Sequence, residues 1–287
     1  MPKAQGGAPP PQVAEPRAKT TLFAHGALGR ARCPDPALQT SPMAWTWFHR
    51  LASPPHVYRV AGRLTPWLAW PAAALIVAGL IGGLVLAPPD YQQGQGYRII
   101  YVHAPSAWMS LMVYSTMAVA AGIALIWRMK VAHAVAASCA PIGASFTFAA
   151  LVTGSLWGAP MWGTYWQWDP RLTSELILLF LYLGYMGLRS AFDDVQRADR
   201  VSAVLAVVGV VNVPIIHYSV VWWNSLHQAP SIMRLGKPTM PASMFVPLLM
   251  MLLGFTLFFG ALLLVRLRGE VLSRERTATW IREAVRP

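Results

Sequence analysis

The sequence predicts an all-α integral membrane protein, with six transmembrane helices, an outer-face tryptophan-rich loop and both termini in the cytoplasm. Three observations carry that expectation. First, 55% of the chain is hydrophobic and only 12% is charged, against about a quarter charged in soluble domains. Second, six apolar runs of 17 to 23 residues stand out: Trp67–Leu86, Ala107–Trp127, Val135–Trp157, Leu172–Leu188, Val201–Trp223 and Phe245–Val265. A helix needs roughly 20 residues to cross the hydrocarbon core, and backbone groups in lipid must be satisfied within the segment. Third, Lys and Arg are divided unevenly between the two sides. Arg98, Arg171, Arg234 and Lys237 fall on one side, and the other 19 fall on the side of the termini. The basic side is cytoplasmic by the positive-inside rule. The net charge of +12 reflects this asymmetry and anchoring to anionic lipid; it requires no nucleic acid.

Residues 1–42 are rich in Pro, Gly and Ala and read as a disordered extension. They lack the apolar segment of a signal peptide. Met43 opens MAWTWFHRLASPPHVYRVAGRLTPW, an aromatic and basic stretch suited to lie on the cytoplasmic surface ahead of the first helix. Met43 is also a candidate translation start, which the mass of the native N-terminus tests. The six-helix domain is expected over 43–268 and a basic cytoplasmic tail over 269–287. The outer loops fall near 87–106, 157–171 and 224–243. The short connections near 128–134 and 189–200 are basic. Helix 3 is expected to open with SCAPIGAS, whose small residues permit close helix packing, and Pro141 is a candidate kink. Cys33 and Cys139 sit in parts of the topology too distant for a structural disulfide. There is no C-x-x-C-H for c-type heme attachment and no G-x-x-x-x-G-K-[ST] for nucleotide hydrolysis. Any dependence on ATP belongs to a partner.

The chemistry is expected outside. WGAPMWGTYWQWD places Trp157, Trp162, Trp166 and Trp168 within twelve residues and ends on Asp169. Tryptophans gather at membrane interfaces because indole is amphipathic, which accounts for Trp67, Trp127, Trp222 and Trp223. It accounts poorly for four in one segment. Gly158, Gly163 and Pro160 make that segment read as a shaped loop rather than a helix end. Such a loop suits close approach to a flat aromatic ligand.

Histidine is the natural holder of a metal or heme iron. Of seven, His25, His49, His56 and His133 fall on the cytoplasmic side. His103 lies just ahead of helix 2, with Pro105 suited to the first helical turn. His217 sits roughly 8 Å below Trp222 along helix 5, where a lone imidazole is costly. His103 and His217 thus share a leaflet on different helices, as two ligands of one iron would. His227, in a loop, reads as ordinary or auxiliary. Arg98 and Arg171 flank the loops and suit the two carboxylates of a heme; Arg171 also reads as a helix-end anchor for Asp169. Glu175 reads as an acid favoured by the N-terminal helix dipole and receives no role.

On these residues the chain resembles the CcmC family of the cytochrome c maturation system, within the WWD-motif heme-handling superfamily. WGAPMWGTYWQWDPRLTSELILLFLY matches that motif, and YQQGQGYRIIYVHAPSAW and GVVNVPIIHYSVVWWNSLHQ match the family's two histidine regions. The likeness runs from about Met43 to the end of helix 6; the 42-residue extension departs from it. The resemblance implies a multi-pass protein of the bacterial inner membrane that binds heme b as cargo at the periplasmic face. His103 and His217 would be axial ligands of the iron. Trp157, Trp162, Trp166, Trp168 and Asp169 would form the platform, and Arg98 and Arg171 would orient the propionates. It implies delivery to the heme chaperone CcmE, help from the small membrane protein CcmD, and an ATP-driven module of CcmA and CcmB. The chain itself would be no enzyme. A cytochrome c synthase-like component (CcsA or CcmF type) is the near alternative, against which the short loops argue. A heme permease should show polar groups through the bilayer midplane. A b-type electron-transfer cytochrome should carry ligands on both sides.

Overall fold

A computed structural model describes residues 52–227 and 240–284. The extension 1–42, the candidate start Met43, Cys33, Arg234, Lys237 and the last residues of the tail lie outside the described residues. The helices are α1 (Pro54–Ile81), α2 (Ile100–Trp127), α3 (Lys130–Trp162), α4 (Pro170–Ser190), α5 (Val195–Gly209), α6 (Asn212–Trp222), α7 (Ala242–Arg274) and a short α8 (Thr279–Ala284). A π-helical turn, Gly82–Leu86, prolongs α1, and a 3-10 turn, Gln95–Ile99, leads into α2. Six spans are long and apolar enough to cross a membrane: Pro54–Leu86, Gln95–Trp127, Lys130–Trp162, Pro170–Ser190, Val195–Trp222 and Ala242–Arg274. The protein is multi-pass and all-helical, as the six apolar runs predict.

The helices overrun the apolar runs because their ends are set by caps rather than by hydrophobicity. Ser53 precedes Pro54 and Pro55, and proline suits a first turn whose N–H groups have no partner. Helix 1 therefore starts at Pro54, and the later half of the stretch expected to lie on the membrane surface is helix. Helix 3 starts at Lys130, so SCAPIGAS lies in its interior rather than at its opening. Asp194 caps α5 by accepting the Arg197 N–H at 2.9 Å. The fifth span, expected as one helix, is interrupted between α5 and α6 at Val210–Val211. There Asn212 turns inward, and its Nδ2 donates to Ser174 O at 2.9 Å.

α2 and α3 form the buried centre; α1 pairs with α7 alongside them, and α4 closes the other side with α5 and α6. Lipid offers no hydrophobic drive between helices, so small residues must let the backbones approach. A Cβ on Gly79 would meet Met251 Cγ at 2.8 Å, and one on Gly254 would meet Ile76 Cγ1 at 2.8 Å. In the centre, Tyr182 is fully buried, packs edge-on against Tyr114 at 5.0 Å and donates to Ser110 O at 2.8 Å. Gly143 makes room for the Tyr182 ring. Gly143→Ala should displace that ring and strain its hydrogen bond, at a cost of about 1–3 kcal/mol. Thermal unfolding of the solubilised protein checks this; an unchanged midpoint would sink it.

Candidate functional site

The end of the bundle that carries the four tryptophans is built from the start of α2, the end of α3, the start of α4 and residues 223–227. α3 continues through Gly158 and Pro160 and ends on Gly163. This corrects the expectation of a loop over 157–171. Proline in the last turn removes one backbone bond without stopping the helix. Gly163 stops it by adopting φ 75°, and its N–H caps Ala159 O at 3.0 Å. Gly158 serves packing instead: a Cβ there would meet Trp162 Cε3 at 2.8 Å. Trp157 and Trp162 therefore ride on a rigid helix, one on each side of Gly158. Trp166 and Trp168 lie in the following loop with their rings edge-on at 5.5 Å, Trp166 half-buried and Trp168 74% exposed. Thr164 tightens this loop: its Oγ1 donates to Trp166 O at 3.0 Å and accepts from Trp166 N at 3.3 Å.

His103 lies in the first turn of α2, which begins at Ile100, so it is on the helix rather than ahead of it. Its Nδ1 is 3.1 Å from both Ala150 O and Thr153 Oγ1 on α3. Its ring packs edge-on against Trp157 at 5.6 Å. Gly154 clears the space: a Cβ there would meet His103 Cε1 at 2.9 Å. Trp157 Nε1 donates to Gln93 Oε1 at 2.9 Å, tying α3 to the first outer loop.

Asp169 is the knot of the site. It is buried and caps α4 through the Arg171 N–H at 2.9 Å. Its other oxygen accepts the Leu226 N–H at 3.0 Å, and its Oδ1 lies 3.2 Å from His227 Nδ1. One carboxylate thus joins the tryptophan loop to the segment after α6. Burial by itself raises its pKa, but the bonds from Ser225, Leu226 and the Arg171 N–H, with the charge of His227, hold it below the usual carboxylate range. Burial, aided by the positive charge of Arg171, lowers the pKa of His227 despite Asp169. The ring of His227 also packs edge-on against Trp162 at 4.9 Å. His103 and His227 thus each pack on a tryptophan at the end of α3, Trp157 and Trp162. An open depression of about 360 Å³, lined by Gln167, Trp168, Asp169, Pro170, Asn224, Ser225 and Leu226, adjoins the knot.

The structure gathers His103, Trp157, Trp162, Asp169, Arg171 and His227. His217 is placed elsewhere in the contact pattern. It packs on Tyr218 at 4.7 Å, and Tyr218 stacks on Trp222 at 5.3 Å. Among the described residues its ring makes no hydrogen bond. Arg98 is also spoken for: it donates to Leu84 O, and to Ala87 O at 2.8 Å, closing the end of the α1 π-turn. The residue that sequence reasoning set aside is His227. Its signal was its place early in the outer loop after α6, but only the fold shows Asp169 reaching it. Two imidazoles with Nδ1 engaged leave Nε2 on each for a metal, the usual arrangement of a ligating histidine with an anchored second nitrogen. Among the described residues no group of three or more His, Cys, Asp or Glu converges on a metal site. The arrangement suits a metal that brings its own equatorial ligands.

Residues 47–282 match the family described as CcmC: Heme exporter protein C. The chain is 51% identical over 241 residues to the heme exporter protein C of Escherichia coli strain K12, covering 84% of this chain and 97% of that one. It is 49% identical over 238 residues to that of Haemophilus influenzae, covering 83% and 97%. It is 43% identical over 188 residues to a ccmC-like mitochondrial protein of cytochrome c biosynthesis from Marchantia polymorpha, covering 66% and 79%.

Proposed function

The chain belongs to the CcmC (heme exporter protein C) family, and from that premise we propose that it holds heme at its tryptophan-rich end and hands it on for cytochrome c maturation. The observation that carries this reading is the pair His103 and His227. Each has its Nδ1 anchored by the protein, and each ring packs edge-on against a tryptophan at the same end of α3, His103 on Trp157 and His227 on Trp162. A porphyrin fills the four equatorial positions of its iron, so two axial imidazoles complete the set. We assign His227 the role of second ligand in place of His217. Trp157 and Trp162 supply the apolar walls, and the exposed Trp168 supplies the rim. Arg171 is the partner of a propionate; Arg98 supports the first loop.

The cargo is heme b, held without covalent chemistry, so the chain is a carrier rather than an enzyme. The charge asymmetry supports a site on the outer face with both termini cytoplasmic, and family membership supports the periplasmic face of a bacterial inner membrane. The acceptor is the chaperone CcmE, with CcmD, CcmA and CcmB as associated subunits; ATP chemistry falls to CcmA and CcmB. The test is the optical spectrum of the purified protein with and without co-expressed CcmE. Heme should accumulate on this chain when CcmE is absent, and move to CcmE when it is supplied. A protein that never carries heme, or whose heme content ignores CcmE, would overturn the reading.

A further inference from the structure

Four residues of α3 receive the ring of His103. They are Ala150, Thr153, Gly154 and Trp157, the spacing that puts side chains on one face of a helix. The Ala150 carbonyl and Thr153 Oγ1 each lie 3.1 Å from Nδ1. The Thr153 hydroxyl gives its hydrogen to Ala149 O at 2.6 Å, so both neighbours accept and Nδ1 is the donor. Gly154 leaves room for the ring, and Trp157 closes one flank, edge-on at 5.6 Å. A carbonyl, a bonded hydroxyl and a glycine have fixed positions on the helix. The indole is the large, rotatable member of the set, and its anchor comes from outside α3.

That anchor is Gln93, whose Oε1 accepts the Trp157 Nε1 hydrogen at 2.9 Å. A buried indole N–H normally requires such a partner. Gln93 belongs to the first outer loop, and the loop is tied at several points. Arg98 binds the carbonyls of Leu84 and Ala87. Asp90 Oδ1 accepts the N–H groups of Gln92 and Gln93 at 2.9 and 2.8 Å. The backbones of Asp90 and Gly94 exchange two hydrogen bonds, at 3.1 and 2.9 Å. Gly94 closes the turn at φ 57° and ψ −132°, a conformation that residues with a Cβ rarely adopt. A loop of fixed shape thus delivers one side-chain carbonyl to one indole. The adjacent Gln92 is exposed, and its side chain makes no hydrogen bond among the described residues.

We propose that Gln93 is a positioning residue for the cargo site: by accepting the Trp157 indole N–H it holds that ring against the flank of His103, and so fixes the direction in which the imidazole presents Nε2. It rests on the heme reading above, in which His103 is an axial ligand. The first outer loop then contributes to cargo affinity without touching the cargo.

The test titrates the purified full-length protein with heme and follows the Soret band. Gln93→Leu removes the acceptor and should weaken binding roughly fivefold, the worth of one neutral hydrogen bond. Gln93→Glu keeps an acceptor at the same reach and should bind as wild type, in salt high enough to screen the added charge. Gln92→Leu, one position away, should also bind as wild type. Wild-type affinity in Gln93→Leu, a Gln93→Glu variant as weak as Gln93→Leu, or equal weakening in Gln92→Leu would each overturn the assignment. If Gln93→Leu does not accumulate in membranes, Gln93→Lys takes its place: it is long and polar but offers donors only. It should weaken binding as much, and wild-type affinity there overturns the assignment. Wild-type protein that binds no heme overturns the heme reading and this inference with it. Wild-type binding with Gln93→Leu indifferent overturns the inference alone.

Discussion

Alanine at His103 or at His227 is expected to strip the purified protein of its heme Soret band, whereas His217→Ala is expected to keep it. The reason is geometric. The His103 ring is fixed by Ala150 O and Thr153 Oγ1, and the His227 ring by Asp169, so each presents Nε2 with little orientational entropy left to lose. Loss of the group that anchors a metal-bound histidine costs roughly 10- to 100-fold in affinity, and loss of the histidine itself costs more. Among the described residues the one ring contact of His217 is with Tyr218, in the aromatic stack that continues to Trp222. The spectra of the three variants, prepared without CcmE, decide the matter. A band lost in His217→Ala and kept in His227→Ala would restore the ligand pair read from the sequence.

The largest loss of stability is expected far from this site, at Asp199. Asp199 and Arg274 form a two-point pair at 2.6 and 2.9 Å, with only 5% and 14% of their side chains exposed. Glu270 accepts from Arg189 at 2.9 Å and from Arg274 at 2.8 Å, and Arg189 lies 3.8 Å from Asp199. The network pins the end of α4 and the start of α5 to the end of α7. Asp199→Ala leaves Arg274 buried with a partner missing, and removing one member of a buried pair costs about 3–5 kcal/mol. Thermal unfolding in detergent, with membrane accumulation as a second readout, should show the loss. The Soret band of the surviving folded fraction should be normal. An unchanged unfolding midpoint would mean that Glu270 alone neutralises Arg274.

Helix number was readable because it follows from composition over long windows. The span count survives errors of several residues. Helix ends did not read as well. The segment from Trp157 to Trp162 looked like loop because it contains Gly158 and Pro160, yet near a C-terminus neither stops a helix until a left-handed residue such as Gly163 does. The break at Val210–Val211 left no apolar gap and depends on Asn212 meeting Ser174 across α4. His103 and the tryptophans stood out by residue type and density, and the structure packs His103 on Trp157. His227 did not stand out, because its value comes from Asp169, 58 positions earlier in sequence. Glu175 read as an acid favoured by the helix dipole near the interface, whereas the structure buries it on α4. A sequence shows which residues have chemistry to offer; which of them share one enclosure depends on long-range pairing.

The two candidate ligands are mounted on supports of unequal stiffness. His103 sits on α2 and leans on α3, the two central helices, and freeing it would disturb the core. His227 hangs on the segment after α6, held by Asp169, Ser225 and the edge of Trp162. Loop segments open at far lower cost than packed helices. Dissociation would therefore be ordered: the bond to His227 breaks first, and the cargo stays tethered through His103 with one axial position vacant. The residence time would be governed by the loop and the direction of exit by the helix, so that an incoming imidazole from an acceptor could take the vacated position before the second bond lets go.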